Sequence, residues 1–93
     1  MMFTKRLREP VKRGEVTCSV RIWRSARVKP GGRYQTGFGQ IEVTSVREIS
    51  LHDVTPELAR HSGFAGLVDL LKVAKHGPGE RVFLIEFEFL GED

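Results

Sequence analysis

Lys12-Arg-Gly-Glu-Val-Thr-Cys-Ser-Val-Arg-Ile-Trp-Arg24 is the stretch around which the rest of the chain is organised. From Val16 onward its apolar residues recur every second position, the period of an extended strand. Such a strand sends Val16, Cys18, Val20 and Ile22 to one side and Thr17, Ser19, Arg21 and Trp23 to the other. The first set suits a core. The second combines hydroxyls, a planar cation and an indole, the groups that hydrogen-bond, neutralise a phosphate and stack on a base. We read this second face as the floor of a ligand site. The alternative is an amphipathic strand whose Trp23 closes the edge of the core.

Outward from that stretch, charge is unevenly spread. The chain has 93 residues and a formal net charge of +3. Up to Thr36 there are ten Lys or Arg against Glu9 and Glu15, which is +8, and from Gly37 onward five basic residues face ten acidic ones, which is −5. A basic first third favours a polyanionic partner, nucleic acid first, because Lys and Arg neutralise phosphates and release condensed counterions. The length predicts one small domain over residues 1–93. No apolar run approaches the roughly 20 residues needed to cross a bilayer, and no apolar segment follows the first charged residues as in a secretion signal. A single cysteine, Cys18, excludes an internal disulfide and fits a reducing cytoplasm, where we expect the protein to reside. Cys18 reads as a buried, inert thiol. His52, His61 and His76 lack metal-ligand spacing, so we expect neither a metal nor another cofactor, and His61 is the histidine placed to act as an acid or base.

In chain order, Phe3-Thr4-Lys5 reads as extended and residues 7–13 as a helix of one to two turns, limited by Pro10 and ended by Gly14. Lys5, Arg6, Lys12 and Arg13 then bracket the Val16 strand as a basic rim. Pro30-Gly31-Gly32 marks a turn, and Arg33 to Thr36 and Gln40 to Leu51 read as strands. Gly37 and Gly39 stand where a tight connection or close backbone approach is needed. The apolar phase moves from Ile41 and Val43 to Val46, Ile49 and Leu51, which predicts a bulge or bend. Thr55-Pro56-Glu57 starts a helix, and Ser62 is expected to cap another carrying Phe64, Leu67, Val68, Leu71 and Ala74 as its buried stripe and ending at 76–79. Val82 to Phe89 reads as a half-buried antiparallel strand. Strands, two helices and a closing strand, without alternating βαβ units, indicate an α+β domain built on a small β-barrel with two or three short helices.

This order of elements resembles the ASCH domain of the PUA-like superfamily. The residues that carry the likeness are Phe3, Lys5 and Arg6, the segment from Gly14 to Arg21, Gly39-Gln-Ile-Glu-Val-Thr-Ser-Val46, Ala59-Arg-His-Ser-Gly-Phe64 and Val82-Phe-Leu-Ile-Glu-Phe87. The resemblance implies a small barrel with a cleft for RNA or a modified nucleoside. The family's strand signature, Gly-x-Lys-x-x-Glu-x-Arg, is met here by Gly14 and Arg21, whereas Val16 stands at the lysine and Ser19 at the glutamate. Short ASCH proteins of the N4-acetylcytidine amidohydrolase group use a lysine, a threonine and a glutamate; those positions fall on Val16, on Ser19 and near Ser62.

Binding therefore survives the comparison better than hydrolysis. A serine hydroxyl is a weak nucleophile without a base in reach, and Val16 supplies none. The expected site comprises Lys5, Arg6, Lys12, Arg13, Thr17, Ser19, Arg21, Trp23, Arg24 and Tyr34, with Arg21 on a phosphate or a carbonyl edge and Trp23 and Tyr34 as stacking surfaces. The partner is RNA, or a nucleoside or nucleotide, bound without strong catalysis. A hydrolase acting on an acylated nucleoside or on RNA, with Ser19 as nucleophile, is the second reading. A protein adaptor using the acidic face of Glu42, Glu86 and Glu88 is the third.

Overall fold

In a computed structural model that describes residues 1–75 and 79–92, four antiparallel strands form one sheet. A 3-10 turn at Lys5–Leu7 leads into α1 (Arg8–Lys12), then β1 (Cys18–Trp23), β2 (Arg33–Gln35) and β3 (Gln40–Ile49). A second 3-10 turn at Leu51–Asp53 precedes α2 (Pro56–His61), α3 (Leu67–Ala74) and β4 (Arg81–Gly91). The spatial order is β1-β4-β3-β2, so the last strand lies between the first and the third. The sheet is open: among the described residues no pairing joins β1 to β2, and the outer side of β1 meets only a parallel bridge from Ile22 to Lys75. The α+β class holds, and what is observed of the expected barrel is this bent, open sheet.

The bend has the cause read in the sequence. Val43 pairs with Phe87 but Ser45 pairs with Glu86, so Thr44 is the extra residue of a bulge. The bulge reverses the parity of β3. Before it, Ile41 and Val43 face one core; after it Val46 turns to that side and Ile49 to the other. Leu51, expected as the last apolar strand position, is instead exposed in the 3-10 turn, which Ser50 and Asp53 close with reciprocal capping bonds.

Both faces of the sheet are covered. On one, α2 and α3 bring Ala59, Leu70 and Ala74 onto Val20, Val82 and Leu84. On the other, the N-terminal segment and α1 bring Phe3, Leu7 and Val11 onto Trp23, Ile41, Val43, Phe83, Ile85 and Phe87. Phe64 reaches both clusters. It does so because Gly63 (φ 97°) passes tightly beneath the N-terminal helices: a Cβ there would stand 2.4 Å from Leu7 Cδ2. A positive φ and that contact together require glycine. Gly39 is the predicted close approach, with Gly91 O 2.5 Å from where its Cβ would be.

Several local expectations hold in detail. Pro10 sits in the first turn of α1 and Gly14 follows it with φ 74°. Thr55 Oγ1 accepts from Leu58 N at 3.1 Å, with Pro56 at the first helical position. Others do not. Val16 precedes the strand and packs in the Phe-rich core with Leu7 and Val11, not on the side of Cys18 and Val20. Ser62 ends α2, its hydroxyl donating to Ala59 O at 3.0 Å, and α3 starts only after Gly66. The later start rotates the stripe: Leu70 and Ala74 are buried, Leu67 is half-buried, and Val68 is 71% exposed. The expected helix end at His76-Gly77-Pro78 lies outside the described residues.

Candidate functional site

β1 is an edge strand clasped between two coverings of different origin, and the two part along its outer edge. There a cleft of about 370 Å³ opens, with Met2, Phe3, Thr4 and Leu7 on one wall and Lys72, Val73, Ala74 and Lys75 on the other. Ser19 and Arg21 point between the walls, and Phe64 also lines the cleft. Strand alternation puts Ser19 and Arg21 side by side, and Arg21 Nε donates to Ser19 Oγ at 2.8 Å. Arg21 Nη2 donates to Met2 O at 2.6 Å, and its guanidinium carbon lies 5.2 Å from the centre of the Phe3 ring. The guanidinium therefore fastens the N-terminal segment to the strand while carrying its charge into the cleft.

Electrostatics make the site receptive to an anion. Arg21 is 6% exposed, and burial lowers its pKa to about 10, so it stays charged at neutral pH. Burying a cation is costly unless an anionic or hydrogen-bonding partner compensates. Lys72 and Lys75 add two ammonium groups from the C-terminal end of α3. Thr4 occupies the capping position of the first 3-10 turn yet makes no capping bond, and its Oγ1 is buried with no hydrogen-bond partner among the described residues. Orphaned buried hydroxyls are rare; this one belongs to a residue of the cleft wall, with the oxygen itself shielded from the cleft.

The expected site residues separate into four groups. Ser19 and Arg21 are in the cleft. Arg6 stands beside it, paired with Asp69 of α3 at 2.6 Å and lying 5.1 Å from the Phe64 ring centre, and Lys5 occupies the same N-terminal turn. Trp23 and Tyr34 line an adjoining hollow of about 270 Å³ together with Arg21 and Arg27. Trp23 is not a stacking platform: it is 3% exposed and packs on Phe83 with ring centres 5.9 Å apart, because residues after Arg24 fold back and bring Val28 over the core. Tyr34 is half-buried, its hydroxyl accepting from Lys29 N at 2.9 Å.

Lys12, Arg13, Thr17 and Arg24 are not among the residues lining the cleft. Lys12 pairs with Glu9 and Glu92, and Arg13 with Glu15, so the basic rim is partly neutralised by neighbouring carboxylates. Thr17 and Arg24 are exposed at the two ends of β1. The residues missed in the sequence are Thr4, Phe64, Lys72 and Lys75. Lys72 and Lys75, three apart at the end of a Leu-rich helix, carried a readable signal; Thr4 carried none.

The hydrolytic positions implied by the resemblance are dispersed. Val16 is buried in the core and Ser62 is fully enclosed, bonded to Ala59 O. Ser19 alone reaches the cleft, and the group on its oxygen is a donor, Arg21, not a base. Burial and the neighbouring Glu86 raise the Cys18 thiol above its ordinary value, as an inert thiol requires. His61 is exposed on the last turn of α2. Of the acidic face, Glu42 is engaged by Arg33 at 3.1 Å. Among the described residues no group of three His, Cys, Asp or Glu side chains is placed to hold a metal ion, and no helix is long and apolar enough to cross a membrane.

A larger hollow, about 440 Å³, lies around Ile22, Ser50 and Val82, but its charged groups include the Arg81–Glu48 pair at 2.7 Å, already closed on itself. No protein-family model matches the chain, and neither does any curated protein or solved structure.

Proposed function

We propose that the protein is an RNA- or nucleotide-binding module that holds its ligand in the cleft along the outer edge of β1, without strong catalytic activity. The observation that carries this reading is the meeting of Arg21, Lys72 and Lys75 in one cleft with Ser19, Phe3 and Phe64. Cations hold phosphate, hydroxyls read polar edges, and ring surface accepts a base. The PUA-like barrel and the cytoplasmic location implied earlier belong to the same proposal. The test is fluorescence polarisation of a labelled single-stranded hexauridine at two salt concentrations. Wild type binds with a salt dependence, and the Lys72→Ala/Lys75→Ala variant binds at least tenfold more weakly, its slope reduced by roughly 1.4, about 0.7 per lost phosphate contact. Binding that is absent, or unchanged in the variant, removes the proposal.

A hydrolase reading is favoured by one fact only: Ser19 and two lysines line the same cleft. Among the described residues no carboxylate or imidazole lines the cleft and the group bonded to Ser19 Oγ is the donor Arg21, whereas a hydroxyl needs a proton acceptor to attack. Incubation with N4-acetylcytidine and with labelled RNA should give no turnover. Turnover lost in Ser19→Ala would establish the enzyme instead.

A further inference from the structure

The cleft does not end at Arg21. The 370 Å³ cleft and the 270 Å³ hollow share two residues, Met2 and Arg21, so Arg21 is a common wall between adjoining depressions on the same strand face. The two differ in chemistry. The first has Lys72, Lys75, Thr4 and Ser19. The second is lined by Tyr34, Trp23 and Arg27, whose guanidinium carbon is 5.7 Å from the centre of the indole. Each volume is near the small end of ligand pockets, about 300 Å³. Side by side, two such spaces fit consecutive units of a chain better than one compact ligand.

Building on the cleft reading above, we propose that the ligand is a single-stranded oligonucleotide spanning both depressions: one nucleotide lies by Thr4, Lys72 and Lys75, the next by Tyr34 and Arg27, and the phosphate joining them lies over Arg21. A buried cation between two subsites is where a polymer carries an anion and a mononucleotide does not. Sequence preference at the second subsite is weak, since ring contact and a guanidinium accept any base.

The experiment displaces labelled hexauridine with UMP, with UDP and with the 5′-phosphorylated dinucleotide pUpU. UDP matches the dinucleotide in charge on a single nucleoside. The expected result is that pUpU competes at least tenfold better than UDP or UMP. In Arg27→Ala, at an exposed position outside the first cleft, pUpU falls to within about threefold of UDP. Equal competition by pUpU and UDP in the wild type overturns the two-subsite inference and leaves a mononucleotide site standing. A dinucleotide advantage that Arg27→Ala does not reduce overturns the assignment of the second hollow. If hexauridine itself does not bind, the cleft reading fails and this inference fails with it.

Discussion

The two faces of the sheet are closed by different means, and the difference locates the site. Under α2 and α3 the sheet presents Val20, Val82 and Leu84 to Ala59, Leu70 and Ala74, an apolar match between regular elements. The other face is rich in aromatic rings but is covered by short pieces, the first turns of the chain and the segment after Arg24. Regular helices seal a sheet by repeating side-chain rows. Short irregular coverings meet it at separate points, Phe3 on Phe87 and Val28 near Trp23, and leave hollows between. The buried guanidinium lies on the irregular face, where hollows and backbone carbonyls are available to it.

Mutations in the two cores test that contrast most strongly. Trp23→Ala should destabilise by about 3–5 kcal/mol and Leu70→Ala by about 2–5, since each removes a large, fully packed side chain. Val68→Ala, on the exposed side of the same helix, should stay within about 0.5 kcal/mol. Urea denaturation of the three variants measures this. A Trp23→Ala protein as stable as wild type would mean that the indole is a surface ring after all.

A smaller effect of opposite sign is expected at Thr4. Thr4→Val keeps the shape and removes the orphaned hydroxyl, so it should stabilise the fold by about 1 kcal/mol. Thermal unfolding reads the effect. A loss of stability in Thr4→Val would show that the hydroxyl has a structural partner.

The smallest effect concerns the Arg6–Asp69 pair, which bridges the two coverings. Hydrogen bonds from Arg6 and from the Ala65 backbone hold Asp69 below its ordinary value of 3.8. A depressed carboxylate contributes stability above its unfolded pKa and loses it as pH falls through the folded one. Stability should therefore decline on acidification between about pH 5 and 2, and Asp69→Asn should flatten part of that decline. A decline identical in the variant would assign the acid sensitivity to other carboxylates, of which Glu48 and Glu92 are also held low by Arg81 and Lys12.

Period and turn chemistry made much of the fold legible. The phase change after Val43 located the bulge, Thr55-Pro56 located α2, and the Phe83, Ile85 and Phe87 alternation identified one face of β4. Three things were not legible. Periodicity tells which side chains share a face, not what lies on top of it. Ser19, Arg21 and Trp23 do share a face, yet the indole is buried against Phe83 and the guanidinium is at a cleft, a distinction made by residues far away in the chain. Ser62 had the composition of a helix start, but its hydroxyl bonds backward to Ala59, which no local pattern distinguishes from a forward cap. The place of the second wall was not legible: Lys72 and Lys75 stand out at the end of a Leu-rich helix, but that they line the same cleft as Arg21 follows only from the packing of α3 against β1.

The central claim is one of place, and a residue-resolved titration tests it directly. Amide chemical shifts of the 15N-labelled protein recorded against pUpU should move along Thr4, Ser19–Arg21 and Lys72–Lys75, with the outer face of β3 around Arg47 unmoved. Shifts confined to Arg33, Arg47 or the acidic side of β4, or no shifts at millimolar dinucleotide, would contradict it.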